Sequence, residues 1–131
     1  MSTYERKETK TKGQAAMIRP PEVDAWINAL DTADRHLYDT IEAVILGTGL
    51  VDEIAFSYKL PTFTHGKHPV TVSKWKGGIS MSVRDAEPIE AFKTKHPDIT
   101  GGKISLQFRR DGEVPRQDLA DLVRAALDPM G

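Results

Sequence analysis

The sequence from Glu53 to Arg84, EIAFSYKLPTFTHGKHPVTVSKWKGGISMSVR, contains three segments in which apolar and small polar residues alternate. Alternation with a period of two is typical of strands with one buried face and one exposed face. The pattern predicts strands at about residues 53–59, 70–75 and 79–84. Leu60-Pro61 is predicted to end the first strand, because proline has no N–H to donate to a ladder. Residues 62–68 are then predicted to form a loop.

Helical periodicity flanks these strands on both sides. Apolar residues spaced three and four apart predict two helices before them, the first over residues 22–30 and the second from Asp31 or Thr32 to Gly47 or Gly49. A short helix from Glu87, a strand at about 103–109 and a last helix from Pro115 follow. The predicted order is α-α-β-β-β-α-β-α. This is an α+β fold with a mainly antiparallel four-stranded sheet and helices packed on one face.

The alternation also predicts which side chains share each face of the sheet. The buried face should hold Ile54, Phe56, Tyr58, Val70, Val72, Ile79, Met81, Val83, Ile104, Leu106 and Phe108. The other face should hold Ser57, Lys59, Thr71, Ser73, Trp75, Ser80, Ser82, Arg84, Ser105, Gln107 and Arg109. Because a helix packs poorly on hydroxyls and cations, this second face is predicted to be open to water or to a partner.

Length and composition set the class of protein. The 131 residues suit one domain, predicted at residues 18–131 behind a disordered polar tail at 1–17. A net charge of -1 gives no argument for nucleic acid or for a membrane surface. The absence of cysteine excludes disulfides and thiolate metal sites. Neither a secretory signal nor a membrane span is recognisable, so the expected location is the cytoplasm.

The segment EIAFSYKLPTF at 53–63 resembles the acidic-apolar-x-x-Ser-Tyr-x-x-Pro-x-Phe/Tyr pattern of the bacterial YdhG-like domain family. The following hairpin, the strand ISMS at 79–82, the segment GKISLQF at 102–108 and the closing helix DLADLVR at 118–124 are similar in the same order. The family pattern usually has a small residue where this chain has Lys59 or Leu60. The resemblance implies a domain of largely unknown function. One branch of the family is described as a frataxin-like iron chaperone, which implies surface carboxylates.

The predicted ligand-binding residues are Tyr58, Lys59, Pro61, Trp75 and Arg84. Trp75 is the large aromatic residue of the open face, where it can stack a base or contact a protein partner. Sheets that bind RNA use two or three aromatic residues, so nucleic acid is not expected, and a homodimer contact is the alternative. Tyr58 and Pro61 also have a purely structural explanation, as a core aromatic and a loop-fixing proline.

Asp31, Asp34, Asp39 and Glu42 are predicted to give the second helix an acidic outer side, which hard cations prefer. Asp39 and Glu42 are the predicted metal ligands if iron is bound. His65 and His68 are a weaker metal candidate, because two imidazoles supply too few ligands. No catalytic motif is recognisable. The expected function is therefore a small non-enzymatic binding domain for a small molecule or a protein, with iron delivery as the alternative.

Overall fold

Four helices and five strands make up the computed structural model, which describes residues 18–130. The helices are α1 (Pro21–Asn28), α2 (Thr32–Gly47), α3 (Ala86–Lys95) and α4 (Arg116–Leu127). The strands are β1 (Glu53–Ser57), β2 (Leu60–His65), β3 (His68–Trp75), β4 (Gly78–Ser82) and β5 (Ser105–Arg109). The predicted α+β class is confirmed. The tail predicted to be disordered, residues 1–17, lies outside the described residues.

The sheet is antiparallel throughout and its strands follow the order of the chain, β1-β2-β3-β4-β5. It has five strands where the sequence predicts four, because the predicted loop at 62–68 is mostly β2. Pro61 does not end a strand. It pairs with Phe56 of β1, and the ladder to β3 starts one residue later, at Thr62. Pro61 therefore has no partner in β3, so its lack of an N–H breaks no hydrogen bond of that ladder.

A two-residue turn at Tyr58 and Lys59 joins β1 to β2. Both residues have positive φ, 53° and 64°, as a type I′ hairpin turn requires. Such turns favour Asn-Gly, because a side chain with a Cβ is strained in this region. Tyr58 is 97% exposed, so the prediction that it is a core aromatic is wrong. Because Tyr58 belongs to the turn and not to β1, its side chain does not follow the alternation of buried and exposed residues in that strand.

Three of the four helices contact the sheet, and α3 packs on α4. α1 contacts β1 and β2, α2 contacts β4, and α4 contacts β3 and α3. The core between the layers centres on Tyr38, Phe63, Met81 and Leu119, which are fully buried. Ile104, predicted to be buried, is 42% exposed, because β5 begins one residue later. In residues 18–130 no helix is both long enough and apolar enough to cross a membrane.

Asp34 in the first turn of α2 is buried, although the sequence pattern placed it on an acidic outer side. Its carboxylate accepts hydrogen bonds from Arg110, at 2.8 Å from Nε and 3.2 Å from Nη2. The ammonium of Lys74 lies 3.1 Å from Oδ2. The hydrogen bond from Arg110 holds the pKa of Asp34 below its usual value, against the opposing effect of burial. One carboxylate thus joins α2 to the ends of β3 and β5.

We predict that Asp34→Asn destabilises the fold by about 3 kcal/mol at pH 7, near the low end for a broken buried ion pair. The two cations left behind can reach water, because their side chains are 36% and 42% exposed. Since the pKa of Asp34 is depressed in the folded state, its contribution is present above about pH 4 and is lost as the pH falls through the folded-state pKa. Urea unfolding between pH 7 and pH 3 measures both effects.

Asp39→Asn is the matched control, because it removes the same charge from an exposed position on the same helix. Its effect should stay within about 0.5 kcal/mol. Equal losses for the two variants, or an unchanged acid dependence in Asp34→Asn, would contradict the role given to Asp34.

Candidate functional site

The sheet face opposite the helices is covered by no helix of residues 18–130, as the sequence predicts. Strand pairing arranges its side chains in rows that cross the sheet. One row contains Thr62, Thr71, Ser82 and Ser105, and the next contains Ser73, Ser80 and Gln107. A third row, Trp75, Gly78 and Arg109, lies at the end of the sheet where β1, β3 and β5 finish. We call this surface the open face.

Trp75 lies across the open face, held by the glycine pair that follows it. Its indole N–H donates to the carbonyl oxygen of Phe108 at 3.1 Å. A Cβ on Gly77 would lie 2.3 Å from the six-membered ring, and a Cβ on Gly78 would lie 2.2 Å from the same carbonyl oxygen. Gly77 therefore leaves room for the ring, and Gly78 leaves room for the backbone of β5 that accepts the indole bond. The ring is thereby fixed in orientation and remains half-buried.

The basic and acidic residues lie on different parts of the molecule. The sheet and its turns, residues 53–84 and 103–110, contain eight Lys or Arg and one acid, Glu53. The other described residues contain six Lys or Arg and sixteen acids. Lys74 and Arg110 contact Asp34 on the helical side. The other six sheet cations are Lys59, Lys67, Lys76, Arg84, Lys103 and Arg109.

The predicted ligand-binding residues fall into two groups. Tyr58, Lys59 and Trp75 lie at the same end of the sheet, since β1 and β3 run in the same direction. Arg84 lies beyond the opposite end, where its guanidinium donates to the carbonyl oxygen of Lys67 at 3.3 Å. Pro61 is buried in β2, so it shapes the hairpin and offers no contact surface.

Arg109 and Lys76 complete the group that contains Trp75. Arg109 is predicted to lie on the open face, but neither residue is among the predicted ligand-binding residues. Arg109 shares the row of Trp75, with only Gly78 between them, and its Nε lies 3.5 Å from Asp111. Lys76 is exposed in the turn that follows Trp75. The excess of Lys and Arg in the predicted strands and turns, which the net charge of the whole chain conceals, is the sequence feature that indicates Arg109 and Lys76.

The two predicted metal ligands have different surroundings. Asp39 is exposed and lies 3.3 Å from Nε of Arg35. Glu42 is half-buried, and Arg19 donates to both of its oxygens at 2.9 and 2.8 Å. Tyr38, whose pKa is raised by burial, donates to Oε2 at 2.8 Å. Glu42 therefore anchors the segment before α1, and its lone pairs are largely engaged.

His65 and His68 pair at the β2–β3 turn, and His96 lies elsewhere, at the end of α3. His65 Nδ1 lies 2.7 Å from the carbonyl oxygen of Leu50, and His68 faces it across the β2–β3 turn. His96 Nε2 lies 2.7 Å from Asp118 Oδ2, a contact that lowers the pKa of Asp118. Within residues 18–130, no three His, Asp or Glu side chains converge to hold a metal ion.

A cleft of about 370 Å³ lies at the outer edge of β5. His96, Thr100, Arg109 and Glu113 contribute its polar lining, and Phe108 and Val114 are among its apolar contacts. The cleft continues from the Arg109 end of the open face.

Comparisons with protein-family models, with curated proteins and with solved structures gave no match. The resemblance to the YdhG-like family therefore stays a prediction, and the open face must be interpreted from its own chemistry.

We predict that the double variant Tyr58→Asn, Lys59→Gly stabilises the protein by about 1–2 kcal/mol, because Asn-Gly removes the strain of two side chains at positive φ. Thermal and urea unfolding measure the change. Lys67→Gly is the matched control in the other hairpin turn, where Lys67 does not have positive φ, and it should lose stability. A gain in the control, or a loss in the double variant, would show that the Tyr58 turn is unstrained.

We also predict that Glu42→Gln lowers the free energy of unfolding by about 1–2 kcal/mol, since the bonds from Arg19 lose their charge-assisted strength. Asp39→Asn should change it little. Anaerobic titration with ferrous iron then tests the chaperone prediction. Saturable binding weakened by both variants would support iron at α2. Destabilisation of Glu42→Gln with unchanged iron affinity would assign Glu42 to the fold alone.

Proposed function

We propose that this protein is a small non-enzymatic binding domain whose open face takes an anionic ligand. The observation that carries the proposal is the coincidence of an uncovered polar sheet face with the basic part of the described chain. The Ser57-Tyr58 to Pro61 motif, which carries the YdhG-like resemblance, forms the hairpin at the edge of this face. We retain membership of that family as part of the proposal.

Charge separation favours an anion on this side of the molecule. The strands and their turns contribute a large excess of cations, and most of the acids belong to the helices and their loops. A field of this kind attracts anions to one surface and repels them from the other. A net charge near zero over the whole chain conceals this pattern, because most of the acids belong to segments other than the strands and their hairpin turns.

The hydroxyl rows favour a polar ligand over an apolar partner. Thr71, Ser73, Ser80 and Ser82 are neighbours on adjacent strands and half-buried. An apolar surface placed on them would remove water from these hydroxyls without replacing their hydrogen bonds, which is costly. A ligand rich in oxygen atoms can accept those bonds. This is why a homodimer built on Trp75 alone is the weaker explanation of the face.

Titration with inorganic tripolyphosphate, followed by two-dimensional NMR of the backbone amides, tests the proposal. We expect saturable shifts in β3, β4 and the end of β5, with the amides of α1 and α2 unmoved. Arg109→Gln should weaken the binding. Lys95→Gln is the matched control, because it removes a well-exposed cation from the helical side, and it should leave binding unchanged.

Two results would contradict the proposal. One is the absence of any saturable shift up to millimolar tripolyphosphate at low salt. The other is a set of shifts centred on the helical side, with Lys95→Gln as damaging as Arg109→Gln.

A further inference from the structure

We infer that the anionic ligand is single-stranded nucleic acid, bound across the sheet at the end that holds Tyr58, Trp75 and Arg109. This inference rests on the proposed function and adds the class of ligand to it. We call the group of Tyr58, Lys59, Trp75, Lys76 and Arg109 the aromatic end. It combines the two features that single strands need, which are rings for bases and cations for phosphates.

Trp75 has the geometry of a platform for a base. One side of its ring lies against Gly77, and the bond from its N–H to Phe108 fixes the plane of the ring. Trp75 is half-buried, so part of its surface remains accessible to a ligand. A ring that is already fixed loses little conformational freedom when a base stacks on it, so more of the stacking energy contributes to affinity.

Tyr58 supplies a second aromatic ring. The turn of Tyr58 and Lys59 lies at the same end of the sheet as Trp75, because β1 and β3 run in the same direction. The ladder between β2 and β3 begins at Thr62 and Thr71, so the hairpin that carries Tyr58 extends past its pairing with β3. The ring is 97% exposed and its backbone is strained, so core packing does not explain it. Nucleic acid is not expected from the sequence because Tyr58 is predicted to lie in the core, which leaves Trp75 as the one large aromatic residue of the open face.

The cations of the aromatic end form a track across the sheet. Lys59 lies at the β1–β2 turn, Lys76 at the β3–β4 turn and Arg109 at the end of β5. A phosphate backbone that crosses the strands at this end passes all three in turn. If each neutralises one phosphate, the logarithm of the affinity should fall with the logarithm of salt with a slope of about −2 for a single strand.

The same features argue against a duplex. Bases that are paired and stacked on each other cannot also stack on Trp75 and Tyr58, whereas the bases of a single strand can be splayed out to reach them. An acidic protein segment satisfies the cations but leaves both rings without a stacking partner. The hydroxyls beside the rings suit RNA and DNA alike, so the sugar is left to the experiment.

The experiment is fluorescence anisotropy of the full chain with labelled oligouridylate and oligodeoxythymidylate of about 12 nucleotides, a length within the range that such surfaces occupy. We expect saturable binding of at least one of them, with a salt slope of about −2. Lys59→Gln and Lys76→Gln should each reduce the magnitude of that slope by about 0.7. Trp75→Leu should weaken binding at least about fivefold while changing the slope little.

Two sets of variants guard against trivial results. Lys67→Gln and Lys103→Gln remove exposed lysines from the opposite end of the sheet, and they should leave affinity within twofold, a margin of about 0.4 kcal/mol. Tyr58→Ala removes a ring that takes no part in packing, so its loss of affinity cannot come from unfolding. Thermal unfolding of Trp75→Leu shows whether that variant is folded at the temperature of the assay.

Several outcomes would overturn the inference. They are duplex binding as tight as that of the single strand, equal losses from the lysines at both ends, unchanged affinity in Trp75→Leu and Tyr58→Ala, and full competition by polyglutamate. If tripolyphosphate still binds the open face in those cases, the proposed function stands and only the ligand class is wrong. If neither probe binds, the proposed function fails as well.

Discussion

A single buried carboxylate connects the two layers of this fold. Asp34 lies in the first turn of α2, whereas its partners Lys74 and Arg110 lie near the end of β3 and directly after β5. Arg110 also donates to the carbonyl oxygen of Lys76, and its N–H donates to that of Gly77. Arg110, which is paired with Asp34, thus also binds the backbone of the turn that follows Trp75, and the ring of Trp75 packs against Gly77 of the same turn.

The sequence predicts the helices and the two-faced sheet well, because those elements depend on periodic burial. α2 begins and ends where the cap and the glycines indicate. β3 and β4 overlap their predicted strands but begin two residues and one residue earlier, and β5 falls within its predicted strand. The errors lie where one residue has an unusual environment. Pro61 would end a strand only if that strand had a hydrogen-bonded partner on both sides at this residue, and β3 does not pair with it. The dipeptide Tyr58-Lys59 does not predict a turn, because such turns usually contain Asn-Gly.

The candidate site is predicted less well than the fold, for an electrostatic reason. Summed over the chain, the charges of the sheet and of the helices nearly cancel. Only the strand assignment reveals that almost all of the acids in residues 18–130 lie outside the strands and their hairpin turns. Asp34 could not be predicted from local sequence either. Its position on α2 is typical of an exposed residue, and its burial is explained only by Lys74 and Arg110, which are distant in the chain. Long-range ion pairs of this kind leave no local pattern.

The strand order of the sheet also has a consequence for how the molecule folds. Every strand pairs with its neighbour in the chain, so four of the strands can form through successive hairpins whose closure costs little entropy. Low sequence separation between contacts is associated with fast folding. The contact between Asp34 and Arg110 spans 76 residues and can form only after both layers exist. We expect rapid formation of the hairpins, followed by a slower docking of α2 in which this ion pair closes last.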